Sequence, residues 1–522
     1  GDWNASIEHL ESSLRMNTEN LNARNLSVIV LRKLGRGGEA DRLLKETLAL
    51  DPLDSWTRYL ASNSLPSGNQ MLFDLALDYM RAGLYLEVVD LLGCTDRNAR
   101  DGSVPILLYA LGHIYRQLGN TASAKRTYSE ASMAPPDYCF PNRLEEFVVL
   151  QEAVSANPED ARAAYYLGNL LYDRRRHREA IALWERAACL DPSFSTVWRN
   201  LGIGYFNVLG DEELSRSAFD KAVQANPGDA RILYEQDQLW KRLGESPERR
   251  LTELEQYSEL VRLRDDLSVE LASLYNQTRQ HERALSLLAS RKFQPWEGGE
   301  GLALGQYVRA NLALGRHALA QGDSLQARRL FEAALRCPEN LGEATHLLAN
   351  QSDVYYFLGS AFEADGDHAL AQQWFERAAW HKGNFQEMSV KLFSDMSYYN
   401  ALALKQLGRA REAEELLRSL LAYAKGLAGQ VARIDYFATS LPTMLLFEDD
   451  LQKRNTVTAT FLRAQAWLGL GDSAQARELL HEVMVLDRNH SRAADMLASL
   501  EGARGLESGL RSSVDTNTWP RT

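Results

Sequence analysis

The chain has 522 residues, 45% of them hydrophobic and 25% charged, with only 14 Pro, a composition that excludes collagen, mucin-like stalks and wholesale disorder. A net charge of −12 supplies no basic excess to release counterions from a phosphate backbone, so nucleic acid is not an expected partner. Every apolar stretch is broken well short of the roughly 18 residues a membrane span needs, and Gly1-Asp2-Trp3 opens no signal peptide, so a soluble chain is expected.

In chain order, Ile7, Leu10, Leu14 and Asn17 read as the second helix of a pair whose first helix is missing, and an upstream part is therefore expected. Leu31, Ala40, Leu44 and Pro52 make the first complete pair, and Leu75-Ala76, Tyr79, Val88 and Leu92 the next. The pattern sharpens at Leu111-Gly112, Tyr115, Ala124, Tyr128, Ala131 and Pro136, and is followed by an insert at 137–146. Between Pro158 and Pro192, Leu167-Gly168, Leu171, Ala180, Trp184 and Ala187 fall at the spacings of a helix-turn-helix repeat of about 34 residues. Each has a mechanical reason. Leu167 and Leu171 share one helical face, Gly168 and Ala180 are small where two helices cross, Trp184 fills the hole between them, and Pro192 ends the second helix.

The next unit follows directly as Leu201-Gly202, Tyr205, Phe219, Ala222 and Pro227. A charged insert at 245–264 precedes Leu271-Ala272, Tyr275, Ala284 and Leu288, and an insert at 291–305 precedes Leu314-Gly315, Ala327, Phe331 and Ala334. Leu358-Gly359, Phe362, Ala371, Phe375 and Ala378 form another clear unit, followed by Ala401, Leu404, Ala413 and Leu417. After a last insert at 425–455, which holds Asp435-Tyr436-Phe437, come Ala464, Trp467, Ala476 and Leu480. No run of Val, Ile and Thr competes as a strand. About ten units thus extend over nearly all of 20–496, and a Gly-, Ser- and Arg-rich stretch follows in which a short capping helix and a loose tail are expected.

This spacing resembles the tetratricopeptide repeat, which implies an all-α, right-handed superhelical solenoid over residues 1–502, with 503–522 as tail. The inserts are closer to one bacterial family: the 137–146 segment, Trp198-Arg199-Asn200, Arg264-Asp265-Asp266-Leu267, the 295–301 loop and the 435–455 stretch are similar to proteins in which a galactose-mutarotase-like β-sandwich of unknown function precedes a long repeat array. That resemblance implies that this chain is the helical half of such a protein and that the absent half handles carbohydrate.

The tetratricopeptide resemblance also implies that the first helix of each unit lines a concave groove, with its second, fifth, sixth and ninth positions pointing inward. In the best-defined units these give Arg162, Tyr165, Asn169, Arg199, Asn200, Arg231, Tyr234, Glu235 and Gln238, a polar and aromatic row. Asn169, Asn200 and Arg231 match three positions of carboxylate-gripping arrays, whereas Tyr165 and Glu235 replace two cations. An ordinary solvated groove accounts for the same residues. Trp296, in a loop with Gly298, Gly299 and Gly301 beside Glu297 and Glu300, suits ring stacking on a sugar with carboxylate acceptors, or equally a plug between units.

Asp265, Asp266, Glu297 and Glu300, with Glu235 and Asp237, offer a general acid and base only if two converge at roughly 5–10 Å; otherwise they are solvated helix faces. The ten His show no H-x-x-x-H or H-E-x-x-H spacing, no G-x-S-x-G occurs, and Cys94, Cys139, Cys189 and Cys337 form no C-x-x-C. No metal, cofactor or disulfide framework is expected, and a reducing cytoplasm fits. Two functions follow. One is an interaction scaffold holding a partner protein or peptide segment, or the upstream β-sandwich, in its groove. The other is a helical module lending binding groups or carboxylates to a carbohydrate-active enzyme of glycoside hydrolase type.

Overall fold

One contact, repeated along the chain, sets how closely paired helices approach. A Cβ added to Gly168 would lie 2.5 Å from the Trp184 indole, and one added to Gly112, Gly202, Gly315 or Gly359 would lie 2.4 to 2.6 Å from Tyr128, Phe219, Phe331 or Phe375. The glycine leaves a dimple on the first helix, and the ring of the second fills it. On the second helices Ala124, Ala180, Ala327 and Ala371 are buried beside these rings, so both helices present a small residue where they cross.

The computed structural model describes residues 2–294, 296, 298–380, 384–386, 389–433 and 446–501. It is 73% helical, as expected for an all-α repeat fold. The chain divides into two compact units, Gly1–Ala225 and Asn226–Thr522.

In the first unit, α1 (Trp3–Met16) packs on the pair α2 (Leu21–Lys33) and α3 (Gly37–Leu50). A short α4 (Ser55–Ser62) leads to the pair α5 (Asn69–Arg81) and α6 (Tyr85–Gly93), then α7 (Val104–Gln117) and α8 (Thr121–Met133). The unpaired α9 (Leu144–Ala156) precedes α10 (Ala161–Asp173) with α11 (His177–Leu190), and α12 (Ser195–Gly204) with α13 (Glu212–Ala225). A π turn at Tyr205–Leu209 extends α12. Asp2, Asn20, Asp54, Asn120 and Asp160 cap helix N-termini by accepting a backbone N–H three residues on. Their core is one continuous cluster running from Ile7 to Ala218.

The second unit pairs α14 (Ala230–Arg242) with α15 (Pro247–Gln256), followed by a single turn, α16 (Ser258–Val261). Then come α17 (Asp265–Gln277) with α18 (His281–Ala289), α19 (Leu302–Ala320) with α20 (Ser324–Ala334), and α21 (Ser352–Ala364) with α22 (His368–Trp380). A small antiparallel hairpin, β1 (Asn384–Gln386) and β2 (Ser389–Lys391), interrupts the helices. Its strands are three residues long, too short for a sequence pattern to reveal. The pairs α23 (Met396–Gln406) with α24 (Ala410–Gly429) and α25 (Leu451–Leu470) with α26 (Ser473–Leu486), and a last helix α27 (491–501), complete it. The charged 245–264 insert is thus mostly a regular second helix, and both ends of the 425–455 insert are helical. Asp435-Tyr436-Phe437 and the 503–522 tail lie outside the described residues.

Within this second unit the end of the chain returns to the beginning. Arg250 on α15, fully buried, donates to Asp237 through Nε and Nη2 at 2.9 and 2.6 Å and to Glu270 at 2.8 Å; its Nη1 reaches Asn489 Oδ1 at 2.7 Å. Asn489 Nδ2 donates to the Lys241 and Glu245 carbonyls. On α27, Asp495 forms a bidentate pair with Arg309 of α19 at 2.8 Å for both bonds. The inner ends of an open stack would be solvated; here they are tied by charge-assisted hydrogen bonds.

Candidate functional site

The polar row expected on the first helices divides between the two units. In the first unit Asn169 Oδ1 accepts from Trp184 Nε1 and from Asn200 Nδ2, each at 3.0 Å, and Arg199 Nη1 donates to Asn200 Oδ1 at 3.2 Å. The ring that fills the repeat core therefore also holds the Asn169 amide. Tyr165 is buried and packs edge-on against Phe194 at 4.7 Å, so it forms a wall more than a free hydroxyl. Burial raises its phenol pKa. Arg162 lies over Phe194 at 3.6 Å and pairs with Asp191 at 3.3 Å. Structure thus brings Asn169, Asn200, Arg199, Tyr165 and Arg162 into one preorganised, half-buried strip.

In the second unit Arg231 Nε donates to the buried Glu235 carboxylate at 2.9 Å, an i,i+4 pair that neutralises the cation expected to face a ligand. Tyr234 sits beneath the Arg264 guanidinium at 5.7 Å, and burial pushes its phenol pKa well up. Gln238 is half-buried, and its carbonyl accepts from Arg242.

The same unit forms a half-open cavity of about 1900 Å³, larger than the roughly 300–1,000 Å³ of a drug-sized pocket. Trp296, Arg309, Phe357, Tyr399, Gln465 and Asp495 are among its lining residues. Trp296 is half-buried and closes over Gly299, where an added Cβ would lie 1.9 Å from the indole. It packs on its own loop and is one of the residues that line the cavity. Arg309 keeps Nη1 without a partner in the cavity wall, and so does the Gln465 Oε1 atom, on a side chain only 1% exposed. Sequence reasoning missed this cavity, because it depends on α27 packing beside helices nearly two hundred positions earlier.

The candidate carboxylates that are described are each engaged by a cation or a backbone amide. Asp265 is held by Arg291 and by the Gln294 N–H, and Asp266 forms a bidentate pair with Arg264 at 3.0 and 2.6 Å. Neither lines the cavity. Glu300 does, but it accepts the Gly298 N–H at 2.9 Å and shapes its own loop. Asp237 is spent on Arg250. Glu297 lies outside the described residues. Among the described residues no group of three or more His, Cys, Asp or Glu is placed to hold a metal, and no helix is long and apolar enough to cross a membrane.

Family models described as tetratricopeptide repeat match residues 149–195, 167–230 and 312–387, with further repeat models at 106–138 and 457–482. A curated protein, the BBSome complex member bbs-4 of Caenorhabditis elegans, is 26% identical over 140 residues, covering 24% of this chain; the match spans 30% of that protein's length. Among solved structures, the anaphase-promoting-complex hetero-tetramer Cut9-Hcn1 covers 95% of this chain and 93% of its own at 14% identity, with a TM-score of 0.26. A tetratricopeptide repeat protein from Parabacteroides merdae covers 56% and 98% at 16% identity and a TM-score of 0.24. YrrB, described as a tetratricopeptide protein with an unusual peptide-binding site, covers 44% and 98% at 19% and 0.18.

Proposed function

We propose that this chain of tetratricopeptide repeats is a protein-interaction scaffold, and that the strip Arg162, Tyr165, Asn169, Arg199 and Asn200 holds a partner segment. The observation that carries the reading is the Trp184–Asn169–Asn200–Arg199 chain of hydrogen bonds. It fixes alternating donors and acceptors on half-buried side chains before any partner arrives, which lowers the ordering cost of binding an extended backbone. The row in the second unit offers less, since Arg231 is already neutralised by Glu235.

The partner is a protein or peptide segment, of another chain or of an upstream domain. Pull-down from native lysate with the full chain and with its Asn200→Ala and Arg199→Ala variants tests this. Loss of the same bound proteins from both variants, with helical content unchanged, is the expected result. An identical bound set would show that the strip is solvated surface. For the carbohydrate-directed alternative, the acids among the described residues are held by arginines and loop amides, and no observation favours it.

A further inference from the structure

The 137–146 insert is absorbed neither by the repeat core nor by the concave strip. It is nevertheless a built loop. Tyr138 holds φ of 60°, a left-handed conformation costly for an aromatic residue, and Gly102 makes room for it: a Cβ there would lie 2.1 Å from the Tyr138 carbonyl oxygen. Cys139 is buried and anchors the bend. The Glu146 carboxylate accepts the Asn142 and Arg143 N–H groups at 2.5 and 2.7 Å, Arg143 pairs with Asp74, and Arg174 donates to the Asn142 carbonyl. This much fixing would be expected to bury the apolar residues of the loop. Instead Tyr138, Phe140 and Leu144 are 73%, 72% and 75% exposed, and Val148, one turn beyond Leu144 on α9, is 45% exposed.

The border of this patch is basic. The turn between α10 and α11 reads Asp173-Arg174-Arg175-Arg176-His177-Arg178, and Arg176 lies 5.6 Å over the Phe147 ring of α9. Arg174 and Arg176 are engaged by the Asn142 carbonyl and by Glu179. Arg175 and Arg178 are exposed and have no ion pair among the described residues. Of the acids around the patch, Glu145 and Glu179 are spent on Arg81 and Arg176, Asp173 lies 3.4 Å from Arg174, and Asp137 is exposed. In a chain of net charge −12, a rigid apolar patch beside uncommitted cations is a local reversal.

We propose that Tyr138, Phe140, Leu144 and Val148, together with Arg175 and Arg178 of the neighbouring turn and start of α11, dock an acidic amphipathic segment of a partner protein. Apolar anchors seat on the loop and α9, and two carboxylates meet the two arginines. The surface is independent of the concave strip. Two uncommitted cations fall short of the four to eight that typically mark an anionic membrane site, while they suffice to orient a peptide.

The probe is a displayed library of random 16-residue peptides selected on the full chain, the enriched peptides then being synthesised. Enrichment of peptides with two or more Asp or Glu beside Leu or aromatic residues is expected. Their affinity should fall at least tenfold with Leu144→Asp and with Arg175→Asn combined with Arg178→Glu, and stay unchanged with Asn200→Ala. Leu144 is exposed in the first turn of α9, so its substitution leaves the fold intact, which circular dichroism checks. The proposal is overturned by enriched peptides that are not acidic, by none being enriched, or by affinities that respond only to Asn200→Ala. It is equally overturned if the chain sediments with phosphatidylserine vesicles in a Leu144-dependent way.

Discussion

Arg250 and Asn489 are 239 positions apart in sequence, yet Nη1 of the one donates to Oδ1 of the other at 2.7 Å inside the second unit. The guanidinium is fully buried and also serves Asp237 and Glu270, so its partners are not interchangeable with water. Arg250→Ala leaves the buried Asp237 without its paired cation and Glu270 with Lys241 alone, and should cost about 3–5 kcal/mol. Asn489→Ala leaves one guanidinium N–H unsatisfied and should cost about 1–3 kcal/mol. Urea unfolding of the full chain, followed by circular dichroism, measures both. Equal, near-zero effects would mean that the two ends of the unit are not tied in solution.

Within the same cluster burial raises the Asp237 carboxyl pKa, while Glu270 moves the opposite way and loses its contribution in acid. Burial opposes ionisation of Glu270, but Lys241 at 2.7 Å and Arg250 together outweigh it and hold the carboxyl pKa at about 2. The folded value lies below the ordinary one near 4.5, so this contribution is complete above about pH 4.5 and is lost as pH falls toward 2. Thermal melts at stepped pH should show that loss in the wild type, and Glu270→Gln should flatten the slope over this window.

A second pH response belongs to α27. The His490 ring sits 4.7 Å from Phe461 and its Nδ1 accepts the Ala493 N–H at 3.1 Å, capping the helix in its neutral form. Burial lowers its pKa, against the partial pull of Asp487 and Asp495. A depressed histidine stabilises fully above its ordinary value of 6.5 and loses that contribution as pH falls through the folded one. Hydrogen exchange of 491–501 should therefore accelerate beyond its intrinsic pH trend between pH 7.5 and 5, and His490→Asn should remove the excess.

Gly168 and Trp184 offer the cleanest test of the repeat core. Gly168→Ala pushes a methyl to 2.5 Å from the indole and should cost about 1–3 kcal/mol, and Trp184→Ala about 3–5 kcal/mol by leaving a cavity. The double variant Gly168→Ala with Trp184→Leu should be more stable than the sum of its parts, because the smaller side chain makes room. Additive losses would show that the two residues do not share one space.

The repeat was legible because its signature residues act on neighbours: Gly168, Ala180 and Trp184 lie within one helix pair and their spacing is their geometry. The inserts were legible as departures but not as shapes. The letters of 245–264 suggested a charged helix, with Ser246 and Pro247 at its start, but not that it would be the regular second helix of a pair. Asn489 illustrates the harder case. It reads as a polar turn residue, and its meaning comes from Arg250 and Lys241, which no local period connects to it. In the same way Asp266 looked available for chemistry until Arg264, two residues before it, proved to bend back onto its carboxylate.

The tie between Arg250 and Asn489 also has a meaning in time. At roughly 5–20 residues per second, a ribosome reaches Asn489 some 12–48 s after it has made Arg250. Most helix pairs of such an array can form as soon as their own residues emerge, since their contacts are local. The α14–α15 pair cannot finish in that way: until the last turn arrives, the guanidinium and its carboxylates lack one side of their enclosure and that edge stays open to water and to other nascent chains. The first pair made in this unit is therefore the last to be completed, and it is there that a chaperone has the longest opportunity to act.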